Sequence, residues 1–267
     1  MIRSVGLGAA ALFLSGVASA HEFWIDPVDY TVASEGALVA TLRVGETFAG
    51  AEQSYLERNF VRFDMQCDGT LDAVPGRAGD RPALNVAAPR DGLCVIIHQT
   101  RDYTLTYNDW QKFVNFVEHK DFAGVLDEHA ARGLPETGFV ELYSRYAKSL
   151  IAVGDGAGPD TEMGLVTEIV AEANPYTDDV AGGFPIRVLY NGEPRADAQV
   201  ELFARPPEGA VEVTLHRTDA EGRVTLPVQP GYAYLADAVV LRPLEAQAEK
   251  DPVWESLWAS LTFAVPE

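Results

Sequence analysis

Phe184-Pro185-Ile186-Arg187-Val188-Leu189-Tyr190 is a short apolar run that ends at Asn191-Gly192. Both central positions of a tight hairpin turn need positive φ, which Asn and Gly tolerate, so this pair is the strongest hairpin signal in the chain. The pattern continues downstream. Val200-Glu201-Leu202-Phe203 and Val211-Glu212-Val213-Thr214-Leu215-His216 lead into a turn at Thr218-Asp219-Ala220-Glu221-Gly222-Arg223. Val224 to Val228, Tyr232 to Leu241 and Leu257 to Val265 follow. About seven short strands separated by turn signals predict an Ig-like or transthyretin-like sandwich for residues 170–267.

Upstream the chain is also strand-like, with one interruption. Phe23, Ile25 and Leu38 to Val44 are broken by Pro27 and by Ser34-Glu35-Gly36, and Phe60-Val61-Arg62-Phe63-Asp64-Met65 alternates as a half-buried strand does. Leu93-Cys94-Val95-Ile96-Ile97-His98 is apolar on both faces and predicts a central strand. Helical spacing then appears between about residues 107 and 133. Asn108 or Asp109 is placed to cap a helix carrying Trp110, Phe113, Val114, Phe116 and Val117. Asp121 is placed to cap a second one with Phe122, Val125, Leu126 and Ala130, before Gly133 and Pro135. Glu141 to Lys148 reads as a short helical or extended piece entering an apolar strand at Ser149 to Val153. The expectation is a mainly β protein of two β-sandwich domains, the first (residues 21–169) carrying this helical insertion, the second beginning near residue 170.

Residues 1–20 read as a leader. Arg3 gives a positive start, Val5 to Val17 is an apolar run of signal-peptide length, and Ala18-Ser19-Ala20 has the small-x-small form of a cleavage site. Cutting after Ala20 would make His21 the first residue of an exported, periplasmic or secreted protein. No other apolar run is long enough to span a bilayer, so no membrane insertion is expected after cleavage. Cys67 and Cys94 are the two cysteines of the chain, and in an oxidising compartment they are expected to pair. The formal charge is −20, from 20 basic and 40 acidic residues, which opposes binding to nucleic acid or anionic lipid.

A terminal histidine is chemically unlike an internal one, because its α-amine and ring Nδ1 form a chelate. Free α-amines titrate near pH ~7.7 to 8, so a metal displaces the proton at modest cost near neutrality. One further imidazole would complete a three-nitrogen set, a histidine brace, suited to Cu(II) or Ni(II). His98, at the end of the central strand, is the leading candidate for that partner. His119 and His129, assigned to solvated helix faces, and His216, expected to point away from the second core, are weaker ones. No G-x-S-x-G elbow, H-E-x-x-H pair or phosphate loop is present, so the residues do not spell a familiar enzyme.

Several segments occur together in order: His21-Glu22-Phe23-Trp24-Ile25, Tyr143-Ser144-Arg145-Tyr146-Ala147-Lys148, Asn174-Pro175-Tyr176, Thr218 to Arg223, and Trp254-Glu255-Ser256-Leu257-Trp258-Ala259-Ser260-Leu261-Thr262-Phe263. In this the chain resembles the NikM-like family of bacterial periplasmic proteins, a family linked to nickel and cobalt uptake. The resemblance implies a β-rich exported protein with a transthyretin-like second half and a role in transition-metal uptake. Its carry-over to a metal site is limited to His21. The expected function is therefore binding or delivery of nickel, cobalt or copper, with a membrane metal transporter as partner. An interaction module for a receptor or transporter, and a histidine-brace copper oxidase, are the alternatives.

Overall fold

A computed structural model describes residues 21–248 and 250–267; the expected leader, residues 1–20, lies outside the described residues. The protein is mainly β and is organised around one mixed sheet. Its strands follow the order Glu212–Arg217, Gln199–Arg205, Ala233–Pro243, Pro252–Ala264, Phe139–Val153, Gly92–Thr100, Phe60–Cys67 and Thr70–Ala73. Thr31–Val32 and Tyr103–Tyr107 also pair with Phe139–Val153. Phe139–Val153 and Pro252–Ala264 run parallel, and both are long enough to serve two cores.

Two four-stranded sheets cover opposite faces of this long one. Val95, Ile97 and Leu150 join a core with Phe184, Ile186 and Val188 of the small sheet built from Thr167–Ala171, Phe184–Tyr190, Glu193–Pro194 and Arg223–Leu226. Their sequence neighbours Cys94, Ile96 and Ile151 point the other way. These pack under Ile25, Leu38 and Leu42 of the sheet built from Glu22–Pro27, Ala37–Glu46, Ala49–Gln53 and Leu84–Ala87. Side chains alternate across a strand, so a strand buried on both sides must be apolar at every position, as Leu93 to Ile97 is. The hairpin forms as the Asn-Gly pair requires, with φ of 54° at Asn191 and 77° at Gly192.

Cys67 and Cys94 are register partners on neighbouring strands and are disulfide-bonded. Their separation of 27 residues corresponds to about 3 to 4 kcal/mol of stabilisation if loop-closure entropy is the whole effect.

The helical segment forms Trp110–His119 and Val125–Ala131. Asp109 caps the first, its side chain accepting from the Gln111 amide. The second departs from expectation: Gly124, not Asp121, is its N-cap, and Asp121 pairs with Arg217 across to the edge strand. Phe113, Phe116 and Val117 pack on Trp254, Trp258 and Val239. Those positions alternate with Leu257, Ala259 and Ala238 of the Phe184 core, so the helices sit on the opposite face of the long sheet. Two further findings concern strands. Of the helical and extended readings of Glu141 to Lys148 the structure has the extended one, as the first part of the single strand Phe139–Val153. Val213 and Leu215 face solvent at 44% and 60% exposure, because Glu212–Arg217 is the outermost strand of its sheet.

Candidate metal centre

Glu201 and Asp237 are cross-strand partners. Each alternates with Phe184-core residues on its own strand (Val200 and Leu202; Ala236 and Ala238), so both carboxylates project from the opposite face, under the C-terminal end of the first helix. Like charges directly opposite each other are unfavourable. A third carboxylate, Glu22, comes from the first strand, and carboxylate oxygens of the three lie within 4.8 Å of one another. Lys120, the residue that ends the first helix, is inserted among them. Its Nζ is 2.9 Å from Asp237 Oδ2, 3.0 Å from Glu201 Oε1 and 3.4 Å from Glu22 Oε1. All four residues are buried.

Three acids around one ammonium leave an excess of negative charge, and the protonation states reflect it. Burial pushes the Glu22 carboxyl up to about 7 against the opposing pull of Lys120. Asp237 is raised for the same reason. Glu201 goes the other way: burial would raise it, but the His119 ring and Lys120 hold it below its ordinary value. Burial alone would lower the Lys120 ammonium, and the carboxylates, Asp237 foremost, reverse this. Glu201 Oε2 and Asp237 Oδ1 are covered from solvent and have no hydrogen-bond partner. The cluster therefore has acceptor capacity that Lys120 does not fill.

The cluster borders a pocket of about 730 Å³ whose wall includes Glu22, Glu46, Phe116, His119, Lys120 and Glu201. His119 is on the last turn of the helix with its side chain 61% exposed, Nε2 3.1 Å from Glu201 Oε1. That contact raises the His119 pKa. His21 enters from the first strand, whose Glu22 pairs with Gly45. Its Nδ1 lies 3.1 Å from Glu46 Oε1, off the hydrogen-bond direction and with no other partner. The Arg145 guanidinium donates to the His21 carbonyl at 3.3 Å and so fixes the backbone there.

The other histidines lie elsewhere. His98 is 3% exposed, with its ring centroid 5.0, 5.4 and 5.1 Å from those of Phe23, Phe60 and Phe63. Burial drops its pKa to about 3, and it opens on a different, smaller pocket. His129 is not on a solvated face but buried at 1% exposure. Its Nδ1 accepts from Trp254 Nε1 and its Nε2 donates to Pro135 O, both at 3.0 Å, so neither nitrogen has a lone pair to offer. His216 stands on the edge strand, Nε2 2.8 Å from Thr214 Oγ1.

As a donor set, the pocket lining offers oxygens from Glu22, Glu46 and Glu201 and the imidazole of His119, while Asp237 adjoins through the acid cluster and His21 through its contact with Glu46. Mixed nitrogen and oxygen donors suit the borderline divalent transition metals, and carboxylates alone would suit harder cations. Among the described residues the ligand atoms that lie within 4.8 Å of one another are those of Glu22, Glu201 and Asp237, so a nickel, cobalt or copper ion would need His21, Glu46 or His119 to move in and Lys120 to yield part of its place.

A further buried acid, outside that cluster, lies under the same helices. Glu141 accepts hydrogen bonds from Tyr107 Oη at 2.7 Å and from Ser256 Oγ. Burial outweighs both and pushes it up to about 7. A carboxyl raised in the folded state stabilises below its unfolded value near 4.5 and loses that contribution as pH rises through 7. Unfolding free energy measured from pH 5 to 8 is expected to fall, and Glu141→Gln to remove about 1 to 3 kcal/mol of that fall. An identical slope in the variant would mean that Glu141 is ionised throughout.

Among the described residues no helix is long and apolar enough to cross a membrane. No curated protein matches the chain. Two solved structures are similar to it in part. A tetra-tandem repeat from the extending region of a large adhesion protein is 12% identical, with a TM-score of 0.20, over 92% of this chain and 50% of that one. The D0-D1 domain of intimin is 13% identical, with a TM-score of 0.21, over 91% of this chain and 97% of that one. The chain thus spans half the length of the first and nearly all of the second, and likenesses this loose carry no argument about function. Residues 18–241 match the family described as Domain of unknown function (DUF4198). That span includes every residue of the pocket and of the buried acid cluster, and the chain belongs to the DUF4198 family.

Proposed function

We propose that this protein is an exported transition-metal-binding protein that holds nickel, cobalt or copper at its mature N-terminus and passes it to a membrane transporter. The observation that carries the reading is the position of His21. Its ring nitrogen meets Glu46, which lines the same pocket as His119, Glu22 and Glu201, and Asp237 lies beside those last two acids. In this proposal His21 contributes the freed amine and Nδ1, Glu46 an oxygen and His119 the second imidazole. His119 is preferred to His98 because it shares the pocket with Glu46. The resemblance to the NikM-like proteins supports the same reading, as does the sequence pattern of the leader.

The test is competitive titration of the processed protein with Ni(II), Co(II) and Cu(II). Glu46→Gln and His119→Ala are each expected to weaken binding of the preferred metal by about 10- to 100-fold. His216→Ala, on the edge strand, is expected to leave it unchanged. Wild-type affinity in both pocket variants would move the metal out of this pocket.

A further inference from the structure

Arg145 is a half-buried cation in a strongly acidic chain, and among the described residues it has no acidic partner. The two buried lysines show the contrast: Lys120 touches three carboxylates and Lys148 touches Asp160 and Glu168. Among the described residues no carboxylate comes within 4.0 Å of Arg145. Its guanidinium lies 4.9 Å from the Tyr143 ring centroid and 6.0 Å from that of Phe23, and Nε has no hydrogen-bond partner. Stacking on aromatic faces recovers part of the cost of removing such a charge from water, but it leaves the charge uncompensated.

This guanidinium lines a pocket of about 260 Å³ that is separate from the metal centre. None of the residues around that pocket is acidic, although the chain has 40 acids. Part of the wall is aromatic, with Tyr103 and Tyr143 stacked at 5.5 Å and Phe23 and Phe60 also in the lining, and Gln53, Ser54, Asn59 and Thr100 add uncharged polar groups. His98 lies in the lining, nine-tenths or more buried, with Nδ1 lacking any partner. One cation, an unsatisfied imidazole and a pair of stacked aromatic rings are complementary to a single negative charge on a flat apolar body, with the uncharged polar groups left to the remaining wall. A dianion would be opposed by the formal charge of −20, which one guanidinium does not offset locally.

We propose that the pocket between Arg145 and His98 binds a small monocarboxylate with a planar, apolar body. The Arg145 guanidinium is the anion's partner, an arrangement in which charge-assisted hydrogen bonds to a carboxylate are strongest. Tyr103 and Tyr143 hold the flat body, and His98 supplies a further polar contact. This site does not rest on the metal reading, and its test is run in the presence of a chelator.

Benzoate and its neutral isostere benzamide serve as probes, titrated by calorimetry into the full processed chain at pH 7. Benzoate is expected to bind at least about tenfold more tightly than benzamide. Arg145→Gln should abolish the difference, and Arg145→Lys should retain part of it. Should Arg145→Gln fail to fold, ring-proton shifts of Tyr103 and Tyr143 in the wild-type protein decide the matter. Benzoate but not benzamide should move them. Equal binding of the two probes, absence of saturable benzoate binding, or saturation without shifts at either tyrosine would each overturn the proposal.

Discussion

Lys120→Met should destabilise the protein by about 3 to 5 kcal/mol at neutral pH, the cost of leaving buried charges without their partner. The side chain is 4% exposed and, among the described residues, is the one ammonium in contact with Glu22, Glu201 and Asp237. Removing it leaves two acids facing each other in strand register and a third beside them. The expected loss shrinks as pH falls, because Glu22 and Asp237, already raised by burial, take up protons and relieve the repulsion. Chemical denaturation at pH 5 and pH 7.5 measures both effects. If the cluster is part of a cation site, a divalent transition metal should restore stability in Lys120→Met more than it raises that of the wild type, since the metal no longer competes with an ammonium. A variant within about 1 kcal/mol of wild type at pH 7.5 would mean that the acids do not depend on Lys120.

The parts of this architecture that local sequence controls were legible. Asn191-Gly192 forces a turn because few other residues accept both φ values. The unbroken apolar run from Leu93 to Ile97 signals burial on two faces, and the structure explains it by a different small sheet on each side. The mixed character of Tyr143 to Lys148 hid the strand Phe139–Val153. Tyr143 and Arg145 are half-buried and line one pocket, and Lys148 is polar yet buried with two acids, so no clean alternation survives. His129 was readable in principle: it is four residues from Val125, on the same helical face, and that face is the buried one. The candidate metal centre was only half legible. His21 and Glu22 stand at the expected mature terminus, but Glu201 and Asp237 acquire meaning only once their strands are paired. Lys120 and His119 look in sequence like ordinary cations favoured at a helix C-terminus; the acids beneath them come from distant strands.

Adding one residue ahead of His21 should weaken metal binding by about 10- to 100-fold while leaving stability in the metal-free state unchanged. The extension converts the α-amine into an amide, which is no longer a neutral donor, but it leaves the His21 ring, Glu46 and the buried acids as they were. His21 is only partly buried and its position is fixed by the strand behind it, from Glu22 onward, and by Arg145, so the fold has no reason to respond. Loss of the ring itself, in His21→Ala with a free amine, should cost a similar factor, because the chelate needs both donors. Together the two variants separate a terminal chelate from simple attraction of cations to an acidic surface, which neither change would alter.

The decisive comparison is one titration with the metal that binds best, performed on processed protein whose first residue has been verified by intact mass as His21 and on the same protein extended by one glycine. Clearly tighter binding by the free-histidine form and equal thermal stability of the two apo-proteins are expected. Equal affinity in both forms would contradict a terminal chelate at His21.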